Sequence, residues 1–294
     1  MSDLTDINEI KALLDRHGFR FSKALGQNFL IQSWVPEKIA ECAGIDEHCG
    51  VLEIGPGIGC LTNRLSEKAG KVVCIELDRS LLPILDETLS GCENVEIVYG
   101  DVLKQDLAGL TAEKMQGLEP VVCANLPYNI TSPAISALLK AGCFRRMTLM
   151  VQKELAKRIC AKAGEADYSA FSILVQWYAK PRLMFDVSPD CFLPQPKVTS
   201  SVIRLDISDG PAYRIENEEL LFKVVRSAFG HRRKTLVNAL SSAFHEISKR
   251  EIADAAAVCG FDENIRGEEL SIGEYCLLSD ELLHRIHLFK QTMR

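Results

Sequence analysis

The sequence predicts an α/β fold: a mostly parallel sheet covered by helices on both faces, followed by a smaller all-helical region. Two observations carry this. Short apolar runs alternate with amphipathic ones between residues 35 and 152, and strands separated by helices form a parallel sheet buried on both faces. Beyond the polar, Gly/Pro-bearing break "SDGPAY" (208–213), all of 215–294 reads as helix. A boundary near residue 210 therefore divides a domain 1–209 from a domain 210–294.

In order along the chain, residues 6–17 and 35–43 read as amphipathic helices and "GVLEIG" (50–55) as a short apolar strand. "LTNRLSEKA" is helical, "KVVCIEL" (71–77) a second strand, and "SLLPILDETLS" helical again. "VEIVYGD" (95–101) and "PVVCAN" (120–125) are the third and fourth strands. "SPAISALLKAG" (132–142) is helical and "MTLMVQ" (147–152) the fifth strand. After residue 152 the pattern changes. "KELAKRICAK" and "YSAFSILVQWYA" look helical, while "RLMFDVS" and "TSSVIRLDI" look like strands that extend the sheet in antiparallel fashion.

Composition narrows the class. Of 294 residues 47% are hydrophobic and 25% charged, as in an ordinary soluble globular chain. The first residues carry acids among the apolar positions, unlike a signal peptide or an organelle presequence, and no apolar run is long enough for a membrane span. The eleven cysteines are scattered and none forms a Cys-x-x-Cys pair, which argues against structural zinc and against a disulfide framework. No metal is expected. A net charge of −6 argues mildly against a polyanionic partner, but such binding needs only a local basic face. Two stretches qualify. Residues 140–162 hold Lys140, Arg145, Arg146, Lys153, Lys157, Arg158 and Lys162 against Glu154, and residues 222–236 hold Lys223, Arg226, Arg232, Arg233 and Lys234 with no acid. Either stretch reads equally well as a solvated helix face.

"VLEIGPGIGCLT" (51–62) sets Gly55, Gly57 and Gly59 between a buried strand and a helix. Glycine there permits a tight turn and close approach of backbone to ligand. The last glycine of a dinucleotide fingerprint is replaced by Cys60, and the Gly-Lys-Ser/Thr of a Walker loop is absent, so phosphate is not the obvious ligand. About twenty residues on, Glu76 ends the second strand, placed to accept hydrogen bonds from ribose hydroxyls. Asp101 ends the third strand, where an acid can accept from an exocyclic amine. Each acid alone also reads as a turn or helix-cap residue. Together, at successive strand ends, they imply a nucleoside ligand without a phosphate cradle, and S-adenosylmethionine fits.

The fourth strand runs into Asn125-Leu126-Pro127-Tyr128. With the glycine loop upstream, this tetrapeptide resembles the Asn-x-Pro-Tyr motif of methyltransferases that act on exocyclic amino groups. The adenine N6 is a poor nucleophile because its lone pair is delocalised into the ring. Two acceptors, the Asn125 side-chain oxygen and the Leu126 carbonyl, can hold its hydrogens and turn the lone pair toward a methyl donor. Pro127 stiffens the turn, and Tyr128 can stack on the base, a contact worth ~1–3 kcal/mol.

The resemblance extends along the chain. "KALGQNFL" (23–30), "VLEIGPGIGCLT", "NLPYNI", "MVQKELAKRI" (150–159), "FLPQPKVTSSV" (192–202) and "FGHRRKTL" (229–236) stand in the order of the ribosomal RNA adenine dimethyltransferases, whose small-subunit branch dimethylates two adjacent adenines near the 3′ end of 16S ribosomal RNA. It implies a Rossmann-like class I methyltransferase fold with a seven-stranded sheet, S-adenosylmethionine as cofactor, and 16S rRNA in the small ribosomal subunit or its precursor as partner. It further implies a cytoplasmic monomer that works late in subunit biogenesis. Carried over position by position, Gln27, Asn28 and Leu30 close over the methionine end of the cofactor. Gly55 and Gly57 approach that end too, Glu76 with Leu77 takes the ribose, Asp101 with Val102 takes the adenine, and Asn125 sits between cofactor and target. Phe192 would pack on the second face of a flipped adenine opposite Tyr128; its other reading is a core aromatic before a Pro-stiffened loop. Arg145, Arg146, Lys153, Arg158 and Lys197 would contact RNA, as would Arg232, Arg233 and Lys234 on a basic helix of the C-terminal domain. The position of Gly267 more often carries a bulkier residue or Pro in that family. The alternatives are a 23S rRNA adenine methylase of the macrolide-resistance type and a ribosome-assembly factor without turnover. An adenine deaminase would need a His/Cys zinc set that this sequence lacks.

Overall fold

A computed structural model describes residues 4–208, 210 and 213–292. In chain order the elements are α1 (Ile7–Arg16), β1 (Phe29–Leu30), α2 (Trp34–Ala43), β2 (Cys49–Ile54), α3 (Cys60–Ser66), β3 (Lys71–Glu76), α4 (Leu82–Thr88), β4 (Val95–Tyr99), α5 (Leu107–Lys114), β5 (Glu119–Asn125) and α6 (Thr131–Ala141). There follow β6 (Arg146–Gln152), α7 (Lys153–Cys160), α8 (Ala170–Tyr178), β7 (Ala179–Val187), β8 (Phe192–Leu193), β9 (Ser200–Ile207), α9 (Glu218–Gly230), α10 (Leu236–Ser241), α11 (Lys249–Val258) and α12 (Ile272–Thr292).

Local chemistry accounts for many of the ends. The Asp6 carboxylate accepts from the N–H groups of Asn8 and Glu9 at the start of α1. Gly44, at φ 58°, ends α2 in the left-handed conformation that side chains disfavour. A complete capping box, with Ser248 and Glu251 bonded to each other's backbone N–H, opens α11.

Seven strands form one sheet in the order β4-β3-β2-β5-β6-β9-β7. The first five are parallel, and β9 pairs antiparallel with both β6 and β7, as the sequence leads one to expect. β2 is buried at every position, as a central strand covered on both faces must be. One core cluster joins Val51, Val72, Val121 and Met150 of the sheet to Val35, Ile39 and Leu65 of α2 and α3. Another joins Ile10, Leu13 and Leu14 of α1 to Ile58, Ile84 and Leu85. Two features were not expected from the sequence: the helix α5, opened by an Asp106 cap, and a separate two-stranded ribbon in which β1 and β8 pair antiparallel, Phe29 with Leu193 and Leu30 with Phe192.

The chain forms two compact units: Met1–Ala156 with Ala179–Ile207, and Lys157–Tyr178 with Ser208–Arg294. The expected boundary near 210 falls beside the last crossing between them, but the segment Lys157–Tyr178 belongs with the helical unit. The cause is apolar burial. Tyr168, Ile173 and Trp177 lie in one core cluster with Leu221, Val224, Phe244 and Leu278, and the Tyr168 hydroxyl donates to the Leu270 carbonyl at 3.1 Å. Gly267 also has a packing reason in this unit, since a Cβ there would lie 2.7 Å from Ala228 Cβ and 2.8 Å from the Tyr275 hydroxyl. The expectation of "RRKTL" on a basic helix is corrected: residues 231–235 form the turn between α9 and α10. Among the described residues no helix is long and apolar enough to cross a membrane.

Ile173, fully buried, reports on the place of α8 in the helical core. Ile173→Ala is expected to lower unfolding free energy by about 2–5 kcal/mol, measured by denaturant titration. A loss below about 0.5 kcal/mol would remove α8 from that core.

Candidate active site

The site is built by strand ends. β2 lies between β3 and β5 in parallel register, with Ile54 opposite Ile75 and Leu52 opposite Val122, so the three strands run out on the same side. Gly55 N–H donates to the Ile75 carbonyl at 2.9 Å, holding the glycine turn against the end of β3. Gly55, Gly57 and Gly59 have φ of 67°, 62° and 90°, in the region side chains resist. A Cβ on Gly57 would lie 3.1 Å from the Phe29 ring, so the turn passes close to the N-terminal segment. At the end of β5, Leu126 N–H donates to the Met150 carbonyl at 3.2 Å, tying the Asn-Leu-Pro-Tyr turn to β6.

A single concavity is lined by residues 25–30, 53–58, 60–61, 75–77, 81, 100–102 and 125–130. It therefore gathers Gln27, Asn28, Leu30, Gly55, Gly57, Glu76, Leu77, Asp101 and Val102 together with Asn125, Leu126, Pro127 and Tyr128. The N-terminal wall is stitched on by side-chain amides. Gln27 Nε2 donates to Asp78 Oδ2 at 2.6 Å while its Oε1 accepts from Ser22 N–H. Asn129 Nδ2 donates to the Ala24 carbonyl at 2.8 Å, and Asn125 Nδ2 to the Asn28 carbonyl at 3.4 Å. With its NH2 turned to Asn28, the Asn125 amide keeps its oxygen as an acceptor.

The strand-end acids differ in setting. Glu76 is buried and its Oε1 accepts from Asp78 N–H at 2.7 Å. Desolvation pushes its carboxyl up to about 7, against the backbone N–H groups of Asp78, Leu77 and Gly57, which favour the ionised form. Asp101 is a cap as well as a pocket residue: its Oδ1 accepts from Leu103 N–H at 3.0 Å, and Lys104 Nζ lies 3.8 Å from its Oδ2. Tyr128 is half-buried, and its hydroxyl meets Ser200 Oγ at 2.6 Å.

The sequence reading passed over two acids. Glu53, inside the apolar run of β2, is 1% exposed and lines the pocket floor. Burial pushes its carboxyl up to about 7, with the Thr62 hydroxyl and Cys74 thiol acting downward and the Glu76 charge upward. Asp78 holds Gln27. Burial acts upward on its carboxyl, but the Ser80 hydroxyl and N–H and the Gln27 amide hold it below the usual value. An acid amid "VLxIG" was the available signal for Glu53, and the Asp-x-Ser cap for Asp78.

Other expectations are corrected. Phe192 is not among the residues that line this concavity. Its ring is 2% exposed and belongs to the core cluster with Leu30, Val187, Cys191 and Val202, because β8 is drawn inward by pairing with β1. Arg146 is not free for a phosphate: its guanidinium ion-pairs with Glu119 and donates to the carbonyls of Ala43 and Gly44 at the end of α2. Lys153 pairs with Asp186, and Arg232 with Glu268 at 2.8 Å. Arg145, Arg158, Lys197, Arg233 and Lys234 are exposed.

The pocket suits an adenosyl-methionine ligand. Bare glycine backbone forms one wall, carboxylates stand at two successive strand ends, and amide-rich chain encloses the third side. A mostly parallel sheet with this pocket and this Asn-Leu-Pro-Tyr turn defines an S-adenosylmethionine-dependent methyltransferase. The chain belongs to the ribosomal RNA adenine dimethylase family, whose model matches residues 18–283. It is 45% identical over 286 residues to the ribosomal RNA small subunit methyltransferase A of Alkaliphilus metalliredigens, covering 97% of this chain and 100% of that one. To the protein of the same name from Clostridium acetobutylicum it is 45% identical, covering 92% and 97%. Among solved structures it resembles a dimethyladenosine transferase from Plasmodium falciparum, with a TM-score of 0.73 at 26% identity, covering 89% and 98%. It also resembles the 23S rRNA methyltransferase ErmE, with a TM-score of 0.64 at 25% identity, covering 86% and 99%.

Glu53 sets a pH test. Its carboxyl goes from an ordinary 4.5 to about 7 in the fold, so the folded state holds an extra proton between those values. The stability of the neutral acid is complete below about 4.5 and is lost as pH rises through about 7. Glu53→Gln is expected to flatten the fall in Tm between about pH 5 and pH 7, by the equivalent of roughly 1–3 kcal/mol. Parallel Tm curves for variant and wild type would refute it.

Proposed function

We propose that this protein transfers methyl groups from S-adenosylmethionine to the N6 amino groups of two adjacent adenines near the 3′ end of 16S rRNA. Its substrate is the small ribosomal subunit or its precursor, and it acts as a cytoplasmic monomer late in subunit biogenesis. The observation that carries this is the Asn125–Tyr128 turn lining the same concavity as Gly55, Gly57, Glu76 and Asp101. The small-subunit target is supported by the bacterial relatives of high identity, which carry that name. A 23S rRNA target has weaker support, since ErmE is similar at much lower identity.

Bound S-adenosylmethionine supplies an electrophilic sulfonium methyl. Gln27, Asn28 and Leu30 enclose its methionine end, against which the glycines bring their backbone. Glu76 accepts from the ribose hydroxyls with Leu77 beside it, and Asp101 accepts from the adenine amine with Val102 beside it. Asn125 Oδ1 and the Leu126 carbonyl accept the two hydrogens of the target amine, so its lone pair is directed rather than free to conjugate. Pro127 keeps the turn rigid, and Tyr128 stacks on the flipped base. No strong general base is needed, because the proton leaves after transfer. Exposed Arg145, Arg158, Lys197, Arg233 and Lys234 contact phosphates and hold the RNA in place without reading its sequence. The helical unit carries Arg158, Arg233 and Lys234, which supports its reading as the RNA-binding domain.

Asp101→Ala is expected to weaken calorimetric S-adenosylmethionine affinity about ten-fold without RNA present; unchanged affinity would sink its assignment. Incubating the protein with labelled S-adenosylmethionine and unmethylated small subunits should place N6,N6-dimethyladenosine near the 3′ end of 16S rRNA. Label confined to 23S rRNA, or monomethyl product alone, would overturn the assignment.

A further inference from the structure

We propose that Ser200 is a positioning residue for methyl transfer: through its hydroxyl it fixes where the Tyr128 ring lies and the direction of its long axis. This rests on the stacking role given to Tyr128 above. The ring is held at both ends. Its Cα sits in the Pro-stiffened turn after β5, and its hydroxyl meets Ser200 Oγ at 2.6 Å, 72 residues away in the chain. The hydroxyl oxygen lies on the axis about which the ring itself turns, so fixing Cα and Oη sets the first side-chain torsion and with it the direction and reach of the ring.

Ser200 is a firm anchor. It is fully buried and opens β9, paired with Gln152 of β6 on one side and Val187 of β7 on the other. The preceding residue is held as well, the Thr199 carbonyl accepting from Lys153 N–H at 3.0 Å. An anchor on a doubly paired strand does not follow the ring, so the ring follows the anchor. A phenylalanine at 128 would offer the same stacking face with no such tether. The hydroxyl of Tyr128 and the "VTSS" segment downstream thus meet in one bond.

A tether acts on orientation, which is felt in the transition state more than in binding. With unmethylated small subunits and saturating S-adenosylmethionine, Ser200→Ala and Tyr128→Phe are each expected to slow single-turnover transfer about ten-fold. The double variant is expected to be no slower than either, since both remove the same bond. Calorimetric cofactor affinity and the KM for subunits are expected to stay within about two-fold of wild type, a split that general loosening of the fold would not give. Full rates for both single variants, or losses that multiply in the double variant, overturn the proposal. Tyr128→Ala separates the two levels of argument. If it is slow while Ser200→Ala and Tyr128→Phe run at full rate, only the tether fails; if it too runs at full rate, the stacking role fails and the tether with it. Should Ser200→Ala not fold, Tyr128→Phe decides alone, a ten-fold loss supporting the tether and a full rate overturning it.

Discussion

The structure turns on the parallel pairing of β2 with both β3 and β5. Parallel neighbours run out at the same end, so whatever follows each strand is brought to one place. Here the followers are the glycine turn, the segment from Glu76 to Asp78, and the Asn-Leu-Pro-Tyr turn. The bond from Gly55 N–H to the Ile75 carbonyl and that from Leu126 N–H to the Met150 carbonyl continue the ladder past the strands themselves. The site is thus an extension of sheet hydrogen bonding, and its rigidity is the rigidity of the central strands.

The electrostatics follow from the same burial. Glu53 and Glu76 stand at the end of an apolar strand bundle, and both carboxyls are pushed up to about 7. Glu76 is partly relieved by the N–H groups of the turns around it, which belong to the same strand ends. The acidic total of the chain is offset for a polyanion by local charge, yet not every basic residue is available. Arg146 fastens the end of α2, Lys153 is paired on the sheet, and Arg232 is paired within the helical unit. Basic runs in sequence overstate basic surface in space.

Much of this was legible beforehand. The five parallel strands announce themselves as separate apolar runs, and the pocket residues from Gln27 to Tyr128 are each tied to a strand end or to a recognisable motif. What was hidden depends on long-range pairing or local polarity. The ribbon of β1 and β8 has two residues per strand, too few for any period to show, and it is this ribbon that takes Phe192 into the core. Glu53 interrupts an apolar run by a single residue, which alternation reads as a face rather than as a buried acid. The turn at residues 231–235 sits between two helices and reads as continuous with them, since basic residues are good helix formers.

The two compact units are interleaved in the chain: the path leaves the sheet after Ala156, returns at Ala179, and leaves again after Ile207. Neither unit is a contiguous stretch of gene. A stop codon after the sheet's last strand would remove α9 to α12 and leave Tyr168, Ile173 and Trp177 with their shared core stripped away. Residues 208–294 expressed alone would lack α8. Recombination between relatives is constrained in the same way, because a single crossover near residue 210 would join an α8 from one parent to a core evolved around another.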